Sequence, residues 1–307
     1  MLDLSIKNLY FHKDYDGVVA AAMVFENLSV PPQLHAVQYS PSLNWLSKNL
    51  GESPGIVDFL FHPTAKLWVD HHATSFLDES QKSNFQPDQY RVLDQSAPSC
   101  PYIIEKLPWF SLGENWVDYI KWSNIIDSAQ YSTPAEANDI SNPHLMLSRL
   151  IAEINDDSIL GELIKAISRK SIKDVLAIKA IREINSRLVE REVKMREIFW
   201  RESRFHNGVG ILDQSSFDVP YHRYIVYERF PHIHYGIGIY RTESNFIVSV
   251  GENPWNRCDA VDLGLLCKEF GGGGRKNTAG VPVISMEKSR SLARLISERL
   301  NDILDSR

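Results

Sequence analysis

Near the start of the chain, acidic and imidazole side chains stand at every second position: His12, Asp14 and Asp16, followed at once by Gly17. In extended backbone, residues two apart point to the same side, so these three can converge on one ligand. Further on, Asp58 sits alone in the apolar run Ile56-Val57-Asp58-Phe59, and Trp68-Val69 leads into Asp70, His71 and His72. Asp127 follows another apolar step, Ile125-Ile126. Carboxylates and imidazoles at the ends of apolar runs are costly to desolvate unless something pairs with them. A divalent metal cluster is the simplest partner, and its chemistry points to hydrolysis of a phosphate ester. Each residue also has a plainer reading: Asp16 as a helix cap, Asp58 as a turn residue, Asp127 as a cap or solvent contact. The triplet as a whole resists it, because a cap requires neither His12 nor Asp14. His71 and His72 would face opposite ways in a regular strand, so they reach one site only from a loop, one ligating and the other meeting substrate.

The elements that must position these groups alternate through the first half. Residues 4–12 read as a strand and 18–28 as a buried helix, with further strands at 34–39, 55–59 and 66–69. Such alternation predicts an α/β fold with a mostly parallel sheet flanked by helices. Ligands in such folds gather at the carboxyl ends of strands, where residues 12–16, Asp58 and residues 70–72 all fall. Gly17 is expected to let the backbone turn into the first helix, whose N-terminal N–H groups favour an anion. The middle is helical at 116–122, 144–154 and 159–167. Residues 171–200 carry no Gly or Pro, and Val175, Ile178, Ile181, Ile184 and Leu188 fit one helical stripe. This predicts a single long connecting helix, either a spacer or a homodimer surface. Strand-like runs at 208–212, 234–240, 245–250 and 279–284, and helices at 260–270 and 286–304, predict a smaller C-terminal α/β domain. The expected division is 1–170, 171–204 and 205–307.

Composition narrows the partners. The chain has 307 residues, 43% of them hydrophobic and 23% charged, as expected of a globular protein of two domains. A net charge of −6 argues against wrapping long duplex DNA, which needs a broad basic face. Cys100, Cys258 and Cys267 are odd in number and widely spaced, so neither a zinc knuckle nor a disulfide framework is expected. No signal-like segment and no membrane-length apolar run is visible, so a cytoplasmic location is expected.

Taken jointly, the His-x-Asp-x-Asp-Gly element at 12–17, Asp58, the Asp-His-His at 70–72 and Asp127 resemble the DHH phosphoesterase superfamily. The stretch Gly-Gly-Gly-Gly-Arg-Lys-Asn-Thr-Ala-Gly at 271–280 resembles the glycine-rich signature of the associated DHHA1 domain. These elements, in order, span nearly the whole chain. The resemblance implies two divalent cations, Mn²⁺ foremost with Mg²⁺ or Co²⁺ as substitutes. It implies His12 and Asp14 on one ion, Asp16, His71 and Asp127 on the other, and Asp58 bridging. Asp70 and His72 would be the catalytic pair, Asp70 orienting the histidines and His72 facing the phosphate. Two such ions neutralise phosphoryl oxygens and activate water.

Gly272, Gly273 and Gly274 allow close approach of backbone to an anion, and Arg275, Lys276 and Asn277 add two cations and an amide. A helix C-cap is the plainer reading, though one glycine would suffice for it. The family pattern has His where this chain has Arg275, and Ala where it has Thr278. Arginine still binds phosphate but stays charged and is no proton donor. Ser249, Trp255 and Arg257 complete the expected substrate contacts, Trp255 by stacking on a base. The expected reaction is hydrolysis of phosphodiesters in short single-stranded oligonucleotides or small phosphorylated nucleotides. Two alternatives stand beside it: an exopolyphosphatase, and a nucleotide sensor without turnover.

Overall fold

The computed structural model describes residues 4–39, 43–217, 223–242 and 245–306. Eleven strands and twelve α-helices fall among them. In chain order the strands are β1 (Asn8–His12), β2 (Gln33–Val37), β3 (Pro54–Val57), β4 (Leu67–Asp70), β5 (Arg91–Leu93), β6 (Arg204–His206), β7 (Val209–Asp213), β8 (Tyr235–Arg241), β9 (Phe246–Glu252), β10 (Gly273–Arg275) and β11 (Thr278–Val283). The helices are α1 (Tyr15–Asn27), α2 (Glu79–Asn84), α3 (Cys100–Ile104), α4 (Glu114–Asp127), α5 (Pro134–Ala137), α6 (Pro143–Glu153), α7 (Asp157–Ile167), α8 (Ile172–Leu176), α9 (Lys179–Glu202), α10 (Ile225–Arg229), α11 (Leu263–Lys268) and α12 (Met286–Asp305). Two compact units result. One comprises residues 1–131 and 140–189, the other 132–139 and 190–307.

The first unit is built on a five-stranded sheet in the order β2-β1-β3-β4-β5. All its pairings are parallel. Alternating residues of the strands serve two cores. Leu9, Phe11, Val57 and Val69 point into one with α1, α3, α4, α6 and α7. Tyr10, Ile56 and Trp68 point into the other with Trp45, Phe59 and Phe61. Burial on both faces is the condition under which an all-parallel sheet is stable, and it explains the near-continuous apolar runs of these strands. The chain leaves β1 for β2 on one side and returns to β3 on the other. The order therefore reverses between β1 and β3, which opens a crevice at their carboxyl ends.

α1 is buried almost all round, which is why its apolar residues show no single stripe. Gly17 lies inside its first turn. The residue has no need of unusual backbone freedom, contrary to the expected turn; a Cβ there would stand 2.3 Å from the His12 carbonyl oxygen. Only a glycine lets the helix start this close to the strand end. The apolar stripe over 171–200 is not one helix. α8 and α9 are separate, because Ser171 caps a short helix whose Val175 is fully buried against the first core. Packing of that one turn overrides a pattern that local propensity alone would continue.

The second unit carries a six-stranded mixed sheet, β10-β11-β9-β8-β7-β6. Only β7 and β8 pair in parallel. Ile237, Ile239, Val248 and Val250 pack with Leu263 and Leu266 of α11 and Ala293, Ile296 and Leu300 of α12. The helix expected over 260–270 is shorter, since Asp262 caps it at Leu263. Among the described residues no helix is long and apolar enough to cross a membrane. None of the three cysteines is in a disulfide.

Gly17→Ala is expected to lower the stability of the chelator-treated protein by about 1–3 kcal/mol, the range for forcing an atom into a packed site. It should also weaken divalent-ion uptake, because the backbone of His12 must move. Thermal denaturation with and without added Mn²⁺ reads both effects.

Candidate metal centre

The crevice gathers the acidic and imidazole residues. His12 ends β1, and Asp14 caps α1, its carboxylate accepting from the Gly17 N–H at 2.9 Å. Asp16, in the same first turn, is buried rather than capping. Asp58 follows β3, Asp70 ends β4, and His71 and His72 come next in a loop. Asp127 ends α4, where the helix dipole disfavours a carboxylate. Its position there contributes nothing to the helix.

Three overlapping groups of ligand atoms share this space, one of them Asp58, Asp70, His71 and His72. His12, Asp14 and Asp58 offer atoms within 4.8 Å of one another, and so do Asp16, His71 and Asp127. Asp58 faces both groups. Its Oδ2 lies 3.7 Å from His12 Nδ1, and its Oδ1 lies 3.5 Å from His71 Nε2. His71 Nε2 is also 3.5 Å from Asp16 Oδ2 and 3.5 Å from Asp127 Oδ2. Asp70 is fully buried and organises the loop. One of its oxygens accepts the His71 backbone N–H at 2.8 Å and lies 2.8 Å from His72 Nδ1, and the other accepts from Ser75. His72 Nδ1 is thus engaged, which leaves Nε2 as the atom for another partner.

The donor set fits divalent cations on a direct observation. Both oxygens of Asp58, Oδ1 of Asp16 and Nε2 of His71 are buried with no hydrogen-bond partner. Buried polar atoms are almost always paired, so four orphans on three adjacent residues need a ligand. Oxygen and imidazole donors without thiolates suit Mn²⁺ or Mg²⁺ rather than structural zinc. The protein groups alone set a proton balance of the same sense. Burial by itself would lower the pKa of His12, but the hydrogen bonds and charges of Asp14 and Asp58 outweigh it and lift it to about 10. Burial would also lower His71, and Asp58, Asp127 and Asp70 together lift it to about 9. Burial and then neighbouring carboxylates push Asp16 and Asp58 up. Asp127 rises to about 6, by burial first and with the charges of Asp58 and Asp14 adding to it against the pull of His71. Asp14 goes the other way: burial would raise it, but His12 and the Gly17 N–H hold it low. The crevice therefore holds extra protons where cations would stand.

Several contacts here left no signal in the sequence. The Cys100 N–H donates to Asp16 Oδ2 at 2.9 Å, and His71 Nδ1 lies 3.2 Å from the Ala97 carbonyl. Tyr15 is buried with its hydroxyl 2.7 Å from His144 Nδ1, and tethers the turn between Asp14 and Asp16. Tyr39 stands edge-on to His12, ring centroids 5.1 Å apart, yet is 46% exposed. Its place after β2 at the carboxyl edge of the sheet was the one available clue.

In the second unit, Gly273, Gly274 and Arg275 form β10, and Lys276 and Asn277 make the two-residue turn into β11. Residues 273–277 are exposed. Lys276 lies 3.2 Å from Asp259. Ser249 pairs with Gly280 in the sheet. The Trp255 ring is half-buried against Tyr224 and Tyr227, and Arg257 is exposed. The glycines have separate reasons. Gly271 ends α11 with φ +80, and a Cβ on Gly272 would meet the Gly280 oxygen at 2.2 Å. Gly274 has φ +151, and its Cβ would lie 2.5 Å from Ala279 Cα. Gly273 alone has neither a positive φ nor any atom within 4 Å of a Cβ.

No protein-family model matches the chain, and no curated protein sequence does. Solved structures do resemble it. A pGpG-specific phosphodiesterase, PggH from Vibrio cholerae, superposes with a TM-score of 0.75 at 19% identity, over 96% of this chain and 99% of that one. An exonuclease RecJ bound to manganese gives a TM-score of 0.53 at 10% identity, over 97% and 91%. An exopolyphosphatase-related protein from Bacteroides fragilis gives 0.52 at 11% identity, over 98% and 94%. The chain shares the fold of these three structures over nearly its full length.

At about pH 7 the values near 10 and 9 leave both His12 and His71 protonated, and a cation binds only the neutral imidazole. Mn²⁺ addition is therefore expected to release protons at pH 7, about two of them from these imidazoles, and fewer as pH rises through 9 and 10, with affinity rising over the same window. Calorimetry in buffers of different ionisation enthalpy counts them; uptake without proton release at pH 7 would contradict this proton balance.

Proposed function

We propose that the protein is a metal-dependent phosphodiesterase acting on short oligonucleotides, with 5′-phosphorylated dinucleotides such as pGpG foremost. The observation that carries this reading is two adjoining ligand groups, one containing Asp58 and the other 3.5 Å from it at His71, with buried oxygens and an imidazole nitrogen that have no hydrogen-bond partner. His12 and Asp14 would hold one divalent ion, Asp16, His71 and Asp127 a second, and Asp58 both. When bound, such a pair supplies charge neutralisation at the phosphoryl oxygens and a nucleophilic water at neutral pH. The protein groups would divide the remaining work. Asp70 holds the 71–72 loop by its two hydrogen bonds, and it keeps His72 Nε2 free to meet a phosphate oxygen. Arg275, Lys276 and Asn277 would contact phosphate from the β10–β11 hairpin. Arg275 would do so as a fixed cation and not as a proton donor.

Tyr39 favours a nucleotide over inorganic polyphosphate. An exposed aromatic ring beside the cluster is a surface for a base or sugar, and polyphosphate offers nothing to stack on it. The likeness to the pGpG-specific enzyme, which covers both chains almost end to end, supports a substrate of the same size class.

The test is cleavage of pGpG, a longer single strand, a cyclic dinucleotide, a 3′-phosphorylated adenosine nucleotide and polyphosphate in Mn²⁺. Cleavage of pGpG is expected to vanish with chelator and to fall at least about 10³-fold in Asp14→Asn and His71→Ala, as when a principal charge-stabilising group is removed. Tyr39→Ala should raise KM for pGpG about tenfold, the loss of one stacked base. It should leave a base-free alkyl phosphodiester unchanged. Gly273→Ala should fold normally and raise KM, whereas Gly272→Ala should lose stability. No turnover of any substrate by a protein that binds its ions would sink the enzyme reading in favour of a sensor.

A further inference from the structure

The short segment 97–100 contacts two arms of one ligand group, His71 and Asp16, and the helix that bears the third, Asp127. The Ala97 carbonyl lies 3.2 Å from His71 Nδ1, which makes Nδ1 the N–H side of the ring and leaves the Nε2 lone pair facing Asp16, Asp58 and Asp127. The Cys100 N–H holds Asp16 Oδ2 at 2.9 Å and leaves Oδ1 as the buried, unpartnered atom. Between them, the Ser99 hydroxyl donates to Asn124 Oδ1 at 2.6 Å. Asn124 lies on α4 one turn before Asp127, the last residue of that helix. Ser99 is fully buried, and its oxygen also accepts the Tyr102 N–H at 3.2 Å, so both its donor and its acceptor are used.

We infer that Ser99 and Asn124 are positioning residues for one ion of the pair and not for the other. This inference rests on the two-ion reading above. The carboxyl end of a helix frays readily, and its dipole repels a carboxylate, so Asp127 needs an external tie to stand where an ion can use it. The Ser99–Asn124 bond is that tie, and it anchors α4 to the same short segment that aims His71 and Asp16. The other group draws on different supports. His12 is set by β1, and Asp14 is set by the Gly17 N–H. Loss of a group that orients a ligand costs about 10–100-fold in metal affinity, so the two ions should respond unequally.

The experiment is Mn²⁺ titration of the full-length, metal-free chain, followed by calorimetry and by electron paramagnetic resonance. Ser99→Ala also removes the α3 cap, so Asn124→Ala, which spares that cap, is run beside it, with Ser99→Thr as the conservative control. The wild type is expected to take two ions and to show the exchange-coupled signal of a close Mn²⁺ pair. In Asn124→Ala and Ser99→Ala one ion should keep its affinity and the other should weaken about 10–100-fold. A mononuclear signal should then replace the coupled one at one equivalent, and Ser99→Thr should restore the pair. Unchanged affinities for both ions, or equal weakening of both together with a lowered melting temperature, would overturn the inference. A wild-type chain that takes fewer than two ions overturns the two-ion reading itself, and that failure shows before any substitution is made.

Discussion

Asp58 is a fully buried carboxylate whose oxygens have no hydrogen-bond partner, the imidazoles of His12 and His71 standing 3.7 and 3.5 Å off, and it stands among Asp14, Asp16, Asp70 and Asp127. Burying one such charge costs several kcal/mol even after relaxation, and crowding more of its own sign around it adds to that. The structure nevertheless holds it firmly in place. Its N–H is bonded to the Val69 carbonyl at 2.9 Å, and its backbone sits at φ +55, which a side chain other than Gly adopts only when its surroundings compel it. The indole of Trp68 donates to the Phe59 carbonyl, and the indole of Trp45 to that of Leu60, both at 2.9 Å, so the chain beyond Asp58 is pinned from the core side. A carboxylate placed against its own electrostatics by a strained backbone and two buried tryptophans is placed for a partner that brings positive charge. The rest of the crevice follows from that requirement.

The first unit meets it with the least mobile elements it has. β1, β3 and β4 run parallel and buried, and their carboxyl ends deliver His12, Asp58 and Asp70 within one register of each other. α1 begins against the backbone of His12, which only Gly17 permits, and so Asp14 and Asp16 arrive on opposite sides of one helical turn. Asp127 comes from the far end of a helix and is the arm least determined by the sheet. The Ser99–Asn124 hydrogen bond compensates for that distance. Rigid placement of ligands by strands, with hydrogen bonds to fix their rings and oxygens, is what a site needs if it is to favour developing charge without reorganising.

The second unit works by a different economy. Its glycine-rich run is an edge hairpin, and most of its glycines are required by the hairpin itself. Gly264 belongs to the same arrangement, for a Cβ there would approach the Gly274 oxygen to 2.7 Å, so α11 lies directly on the β10 backbone. What remains for a ligand is the exposed edge at Gly273 and the cations Arg275 and Lys276. A run of four glycines in a sequence therefore overstates the number that meet a substrate.

The residues that the crevice gathers were legible because each follows an apolar strand or helix, and a charged side chain in that place has few structural uses. The alternation of elements likewise identified the parallel sheet, and the acids at strand ends located its functional edge. Sequence could not show that Asp14 rather than Asp16 caps α1, because both are equally good caps and only the packing of Asp16 against Cys100 decides between them. Nor could it show that the 171–200 stripe breaks after Leu176, since the break is made by burial of Val175 and not by any residue of low helix propensity. Ser99, Asn124 and Tyr39 were invisible for the same reason: each matters through a neighbour distant in the chain. The sequence by itself determined which acids and imidazoles stand at the ends of apolar strands and helices, because residue type and local period are local properties. The tertiary structure alone decided which of them come within reach of one another and what holds them there, because those relations depend on the register of strands and the ends of helices that the chain brings together only on folding.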